Sequence, residues 1–244
     1  MDKIKTNRLL LAGDSWMDGR TWYREIFDSE QVTNLAVSGS GNKYISDSVI
    51  SHISMGHAVD HVLVSWSGLI RIDVPLPLGV KTDYKEKGSE KRATWASRYW
   101  SNNYAPWRDR QFKLNIEEPL VRLMYQEKGY VSVKNQALIN VVNLQNFLKA
   151  KGIPYLFCFM YDYTNPDFDH NHLTGESDVG AFSTMGSVPK SHPMLAELDH
   201  RNCMAPAGLD WAMSQATDHF EDANHLTQAG DHAWARAMMD QHGK

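Results

Sequence analysis

A chain of 244 residues in which 42% are hydrophobic and 22% charged holds enough apolar material for one well-buried core, which argues against disorder and against a fibrous repeat. Its formal charge of −4 and pI near 6.2 supply no general attraction to nucleic acid or anionic lipid, so neither is expected as a partner. Of the two cysteines, Cys158 sits in an apolar run and Cys203 in a polar loop, which is neither a disulfide framework nor a zinc cluster, so a reduced compartment is expected.

Leu9 to Ala12 is a short apolar run that breaks at Gly13 into Asp14 and Ser15, the pattern of a buried strand entering a turn. A helix is predicted over Thr21 to Phe27 and a second strand over Val32 to Val37. The glycine-rich SGSGN of Ser38 to Asn42 closes that strand before an amphipathic stretch from Tyr44 to Ile53. Val59 to Trp66 and Ile153 to Met160 are two further apolar runs; the second follows a helix marked by Ala137, Val141, Leu144 and Leu148 and ended by Gly152. Strands alternating with helices predict an α/β fold with a mostly parallel sheet covered on both faces, and ligands then bind beyond the carboxyl ends of the strands. Ser15, Gly39, Ser67 and Asp162 all fall at such ends. One domain over 1–244 is expected, with lid-like insertions at about 75–115 and 162–209, both rich in turn formers and aromatics. The N-terminal apolar patch is too short for a signal-peptide core and no later run is long enough to span a bilayer, so a cytoplasmic product is expected, virion association remaining open.

A serine hydroxyl needs a base within reach, a group that orients the base, and donors for the oxyanion. Ser15 stands on a strand-to-helix turn whose backbone N–H groups can face developing negative charge. Asp222 precedes His225 by three positions, just before a helix predicted over Thr227 to Met239, so the carboxylate can hold one ring nitrogen while the other faces a serine.

GDSW at Gly13 to Trp16, NLAVSGSGN at Asn34 to Asn42 and DANHLTQAGDHAWA at Asp222 to Ala235 stand in the order of the first, second and last blocks of the SGNH/GDSL hydrolases, a family this chain resembles over nearly its whole length. The resemblance implies a flavodoxin-like three-layer α/β/α sandwich, Ser15 as nucleophile and contributor to the oxyanion hole, Gly39 as a second oxyanion donor, His225 as general base and Asp222 as its orienting partner. No cofactor is expected. The third block departs from the family: a G-x-N-D pattern is replaced by SWSGLIRID, Ser65 to Asp73, a variant similar to forms in phage-borne members. Ser67 aligns with the oxyanion-hole asparagine, and Arg71 is a second candidate for that work. Arg71 and Asp162 are further candidates for contact with substrate.

Plainer readings stand beside these. A serine after Asp14 by itself more often caps a helix, Gly39 by itself is a turn glycine, and His225 is one of eleven histidines. Asp167, Asp169 and Asn171 alternate as in a calcium loop, with Asp178 in reach, but His172 stands where the sharp turn needs glycine, so a solvated acidic loop is favoured and no metal is expected. Trp95, Tyr99, Trp100, Tyr104 and Trp107 interleave with Arg92, Arg98, Arg108 and Arg110, a set that could hold a sugar ring or an acidic glycan; most should form the core of an insertion, with only one or two facing the cleft. The expected activity is cleavage of a carboxylic ester, such as an O-acetyl group on a carbohydrate. Acyl transfer to a sugar hydroxyl and a non-catalytic binding or structural protein on the same fold are the alternatives.

Overall fold

The computed structural model describes residues 2–69, 71–75, 99–102, 117–160, 162–165, 187–215 and 225–242. Strand β1, Ile4–Gly13, runs inside a four-stranded, all-parallel sheet. On one side it pairs with β2, Phe27–Asn34, and on the other with β3, His61–Trp66. A separate antiparallel pair joins β4 (Ile72–Pro75) and β5 (Tyr99–Asn102), the latter within the stretch 75–115 where an insertion is expected. Strand β6, Tyr155–Phe159, pairs with β3 and completes the sheet order β2-β1-β3-β6. The expected α/β class with a parallel sheet is therefore present.

Leu9, Leu10, Leu11 and Ala12 are all buried, as are Val62 to Trp66. Neighbouring strand residues point to opposite faces, so consecutive burial means that both faces of the central strands are covered. At the margin β2 alternates little and is mostly exposed after Phe27. Helix α1, Asn42–Ser54, packs against the long helix α2, Glu117–Lys151. The end of α2 is set by Gly152 at φ +65°, whose N–H donates to Lys149 O at 3.1 Å while Ile153 N donates to Leu148 O at 3.0 Å. Those two bonds satisfy carbonyls that the last helical turn would otherwise leave open, and only glycine adopts that φ without strain.

Two expected boundaries shift for local reasons. The helix predicted over Thr21 to Phe27 is only a 3₁₀ turn, Trp22–Glu25, because Phe27 is already in register with Ile4 as the first residue of β2. That strand ends at Asn34 and not Val37: the Asn34 side chain accepts the Ala36 N–H at 2.8 Å and donates to Met17 O at 3.2 Å, turning the chain toward the end of β1. Residues 203–209, in the stretch where a second insertion is expected, run along the outer side of β6, where Met204 N donates to Phe157 O at 2.8 Å and Leu209 N to Met160 O at 2.6 Å. They lead into helix α3, Gly208–Ser214. Among the described residues no helix is long and apolar enough to cross a membrane.

Among the perturbed ionisable groups, the histidines and carboxylates make the fold sensitive to acid. Burial lowers the pKa of His52, reinforced by the stacked His57 ring at 4.3 Å, and burial lowers that of His61 as well. A histidine whose folded pKa lies below its ordinary value of 6.5 supports the fold above that pH and loses this support as pH falls through the folded value. Asp199, held at about 2 by hydrogen bonds from Arg201 and Lys149, acts in the same direction at lower pH. Melting temperature should therefore decline from pH 7 to pH 5 and again between pH 4 and pH 2. A melting temperature that is flat or rising on acidification would contradict these assignments.

Candidate active site

Gly13 ends β1 at a close approach: a Cβ there would lie 2.9 Å from both Ser65 O and Met17 Cβ. Asp14 then turns the chain. Its carbonyl accepts the N–H groups of Met17 and Asp18 at 3.0 and 2.9 Å, and its fully buried carboxylate accepts the Trp16 N–H at 3.1 Å. Ser15 projects from this turn and is half-buried. Because the chain passes from β1 to β2 on one side and then to β3 on the other, the turn lies where the sheet order reverses, which is where open α/β sheets form their ligand crevice.

His225 precedes helix α4, Gln228–His242, and its Nε2 lies 2.8 Å from Ser15 Oγ although 210 positions separate the two residues. The segment after the Ser15 turn seats α4 directly. Arg20 Nη1 donates to Leu226 O at 3.1 Å and to Asp231 Oδ2 at 3.3 Å. Trp234, fully buried, stands edge-on to Trp16 at 5.4 Å and tilted against Trp22 at 4.9 Å, and its Nε1 donates to Pro206 O at 2.8 Å. His232 reaches Thr21 Oγ1 at 3.2 Å with one ring nitrogen and Glu25 Oε1 at 2.8 Å with the other. That hydrogen bond is the main reason the Glu25 carboxyl lies below its ordinary pKa.

The loop after β2 is tied to the same turn. Val37 N and Ser40 Oγ both donate to Gly13 O, at 3.1 and 3.0 Å, and Ser38 donates through N and Oγ to Asp18 Oδ2 at 3.2 and 3.1 Å. Between them Gly39 is exposed at φ +85°, a conformation that favours glycine. Among the described residues no acceptor takes the backbone N–H of Ser15 or of Gly39. Two backbone donors on loops bonded to each other are suited to an oxyanion.

Residues of the third segment are turned to bracing. Ser67 is fully buried, its N–H donates to Asn42 Oδ1 at 2.9 Å, and its Oγ has no hydrogen-bond partner among the described residues. Asn42 Nδ2 returns to Ser67 O at 3.2 Å, and the Tyr163 hydroxyl also donates to that carbonyl. Ser67 is thus fixed within the wall, and no hydrogen bond joins it to Ser15 among the described residues. Asp73 accepts from Gly41 N and Tyr44 N, both at 2.8 Å, so a carboxylate from β4 supplies the acceptors that the first turn of α1 lacks. A Cβ on Gly41 would fall 2.7 Å from that carboxylate, which leaves room there for glycine alone. Arg71 Nη1 donates to Asp14 Oδ2 at 3.0 Å and to Ser40 O at 2.8 Å. Asp162 closes a local turn, its Oδ1 accepting from Thr164 N and Oγ1 at 2.7 Å each.

Asp222, the expected partner of His225, lies outside the described residues, as do Asp167, Asp169 and Asn171. Among the described residues no group of three or more His, Cys, Asp or Glu side chains could hold a metal ion. Arg20, Asn42, Asp73 and His232 escaped sequence reasoning, because their roles depend on partners far along the chain. The signal for three of them was their place inside the quoted segments: Asn42 and Asp73 end the second and third, and His232 lies in the last. Compared with models of known protein families and with curated proteins, the chain matches none.

Proposed function

We propose that this protein is a serine esterase that cleaves a carboxylic ester through an acyl-enzyme on Ser15. The observation that carries the reading is the 2.8 Å approach of His225 Nε2 to Ser15 Oγ, a nucleophile and base brought together from opposite ends of the chain. His225 takes the hydroxyl proton as Ser15 Oγ adds to the ester carbonyl and returns it to the leaving alcohol; water, activated by the same ring, then releases the acid. The oxyanion of each tetrahedral intermediate meets the N–H groups of Ser15 and Gly39. Asp222 is assigned the orienting role behind the ring.

The resemblance to SGNH/GDSL hydrolases in the motifs at Gly13, Asn34 and Asp222 supports the same chemistry. The aromatic and arginine-rich stretch between Arg92 and Arg110 is the ground for favouring a carbohydrate, with an O-acetyl group as the ester. The test is turnover of p-nitrophenyl acetate by the purified chain, followed by acetate release from an acetylated glycan. Saturable hydrolysis of the small ester that depends on Ser15 is the expected result. Its absence in folded protein would overturn the reading.

A further inference from the structure

Arg71 occupies an unusual place for a surface-loop arginine. Its side chain is only 14% exposed and its carboxylate partner, Asp14, is fully buried. A terminal guanidinium nitrogen carries two hydrogens. Those of Nη1 are directed to Asp14 Oδ2 and Ser40 O, so this nitrogen has none left for a substrate oxyanion. The two acceptors belong to the two loops that present the open N–H groups: Asp14 immediately precedes Ser15 and Ser40 immediately follows Gly39.

We infer that Arg71 is a positioning residue for the ester cleavage proposed above: through Nη1 it cancels the charge of Asp14 and locks the Ser15 and Gly39 loops together, and so acts on the oxyanion through them. The inference rests on the Ser15 reading. Its electrostatic part follows from sign and place. An unneutralised carboxylate beside the nucleophile would oppose negative charge developing on the carbonyl oxygen, and because the Asp14 side chain is fully buried that opposition is little screened. Its geometric part follows from the shared nitrogen, because shifting either loop alone must break one of two short bonds. The same two bonds account for an arginine in a segment whose serine, Ser67, is sealed in the wall.

The experiment measures p-nitrophenyl acetate kinetics and the rate of active-site labelling by a fluorophosphonate for the unsubstituted protein, R71M, R71K and the double variant D14N/R71M. R71M should slow both reactions by about a hundredfold, mostly in kcat, the scale of a lost oxyanion donor. D14N/R71M, in which no buried carboxylate is left unpaired, should regain at least about tenfold of that loss, and R71K, which keeps the charge, should fall between R71M and the unsubstituted protein. Wild-type rates in R71M would overturn the inference while leaving the Ser15 reading intact, and so would a double variant no faster than R71M, since a direct oxyanion contact cannot be restored by changing Asp14. Should R71M fail to fold, the double variant decides: folded and within about tenfold of the unsubstituted protein supports the inference, folded and about a hundredfold slower overturns it. Failure of the unsubstituted protein to label would remove the Ser15 reading itself.

Discussion

Ser15→Ala should lower kcat for p-nitrophenyl acetate by at least about ten-thousandfold while leaving the melting temperature close to that of the unsubstituted protein. The side chain is half-buried on a turn whose hydrogen bonds are made by Asp14 and not by Ser15, so removing its oxygen disturbs the chemistry more than the fold. His225→Ala should cost a similar factor, and the double variant should be scarcely worse than either single one. Nucleophile and base act as a unit, so the second loss removes little that the first has left. Steady-state kinetics on the three variants check this. Retention of activity within about tenfold in either single variant, or multiplicative losses in the double, would mean that another group does the work.

Trp234→Ala should be the most destabilising of the single changes considered, at about 3–5 kcal/mol. The indole is fully buried, contacts two other tryptophans, and satisfies the Pro206 carbonyl; alanine removes the packing, opens a cavity and leaves that carbonyl without its donor. Helix α4 carries this residue close behind His225, and Arg20, Thr21 and Glu25 hold it against the segment following Ser15. Esterase activity should therefore be lost at a lower temperature than in the unsubstituted protein, in step with unfolding. Chemical denaturation with activity measured in parallel tests both parts. A loss of stability under about 1 kcal/mol would show that α4 is not anchored as described.

Much of the framework was legible in the order of residues. Leu9 to Ala12 followed by Gly13 reads as a buried strand entering a turn because consecutive apolar residues suit a sheet covered on both faces, and β1 is such a strand. Gly152 reads as a helix end for the reason that it is one: its positive φ is costly for other residues. The pairing of Ser15 with His225 was legible only as chemistry, since no local pattern states that positions 210 apart will meet.

What escaped the sequence were the contacts that override local preference. Thr21 to Phe27 has helical character, yet Phe27 is needed opposite Ile4, and strand pairing takes the residues back. Ser67 aligns with an oxyanion donor but lies sealed in the wall, held by Asn42. The arginine and aspartate that follow it hold neighbouring loops, Arg71 on Asp14 and Ser40, Asp73 on the start of α1. Such roles are set by where a side chain arrives after folding, and composition or spacing carries no trace of that.

The proposed activity requires one hydroxyl to be activated by one imidazole. The most direct measurement is peptide mapping by mass spectrometry after brief exposure of the folded protein to a fluorophosphonate, for the unsubstituted chain and for His225→Ala. A single adduct on Ser15, formed at least about a hundredfold more slowly without His225, is the expected result. An unmodified Ser15 in folded protein, or equal rates with and without the imidazole, would contradict it.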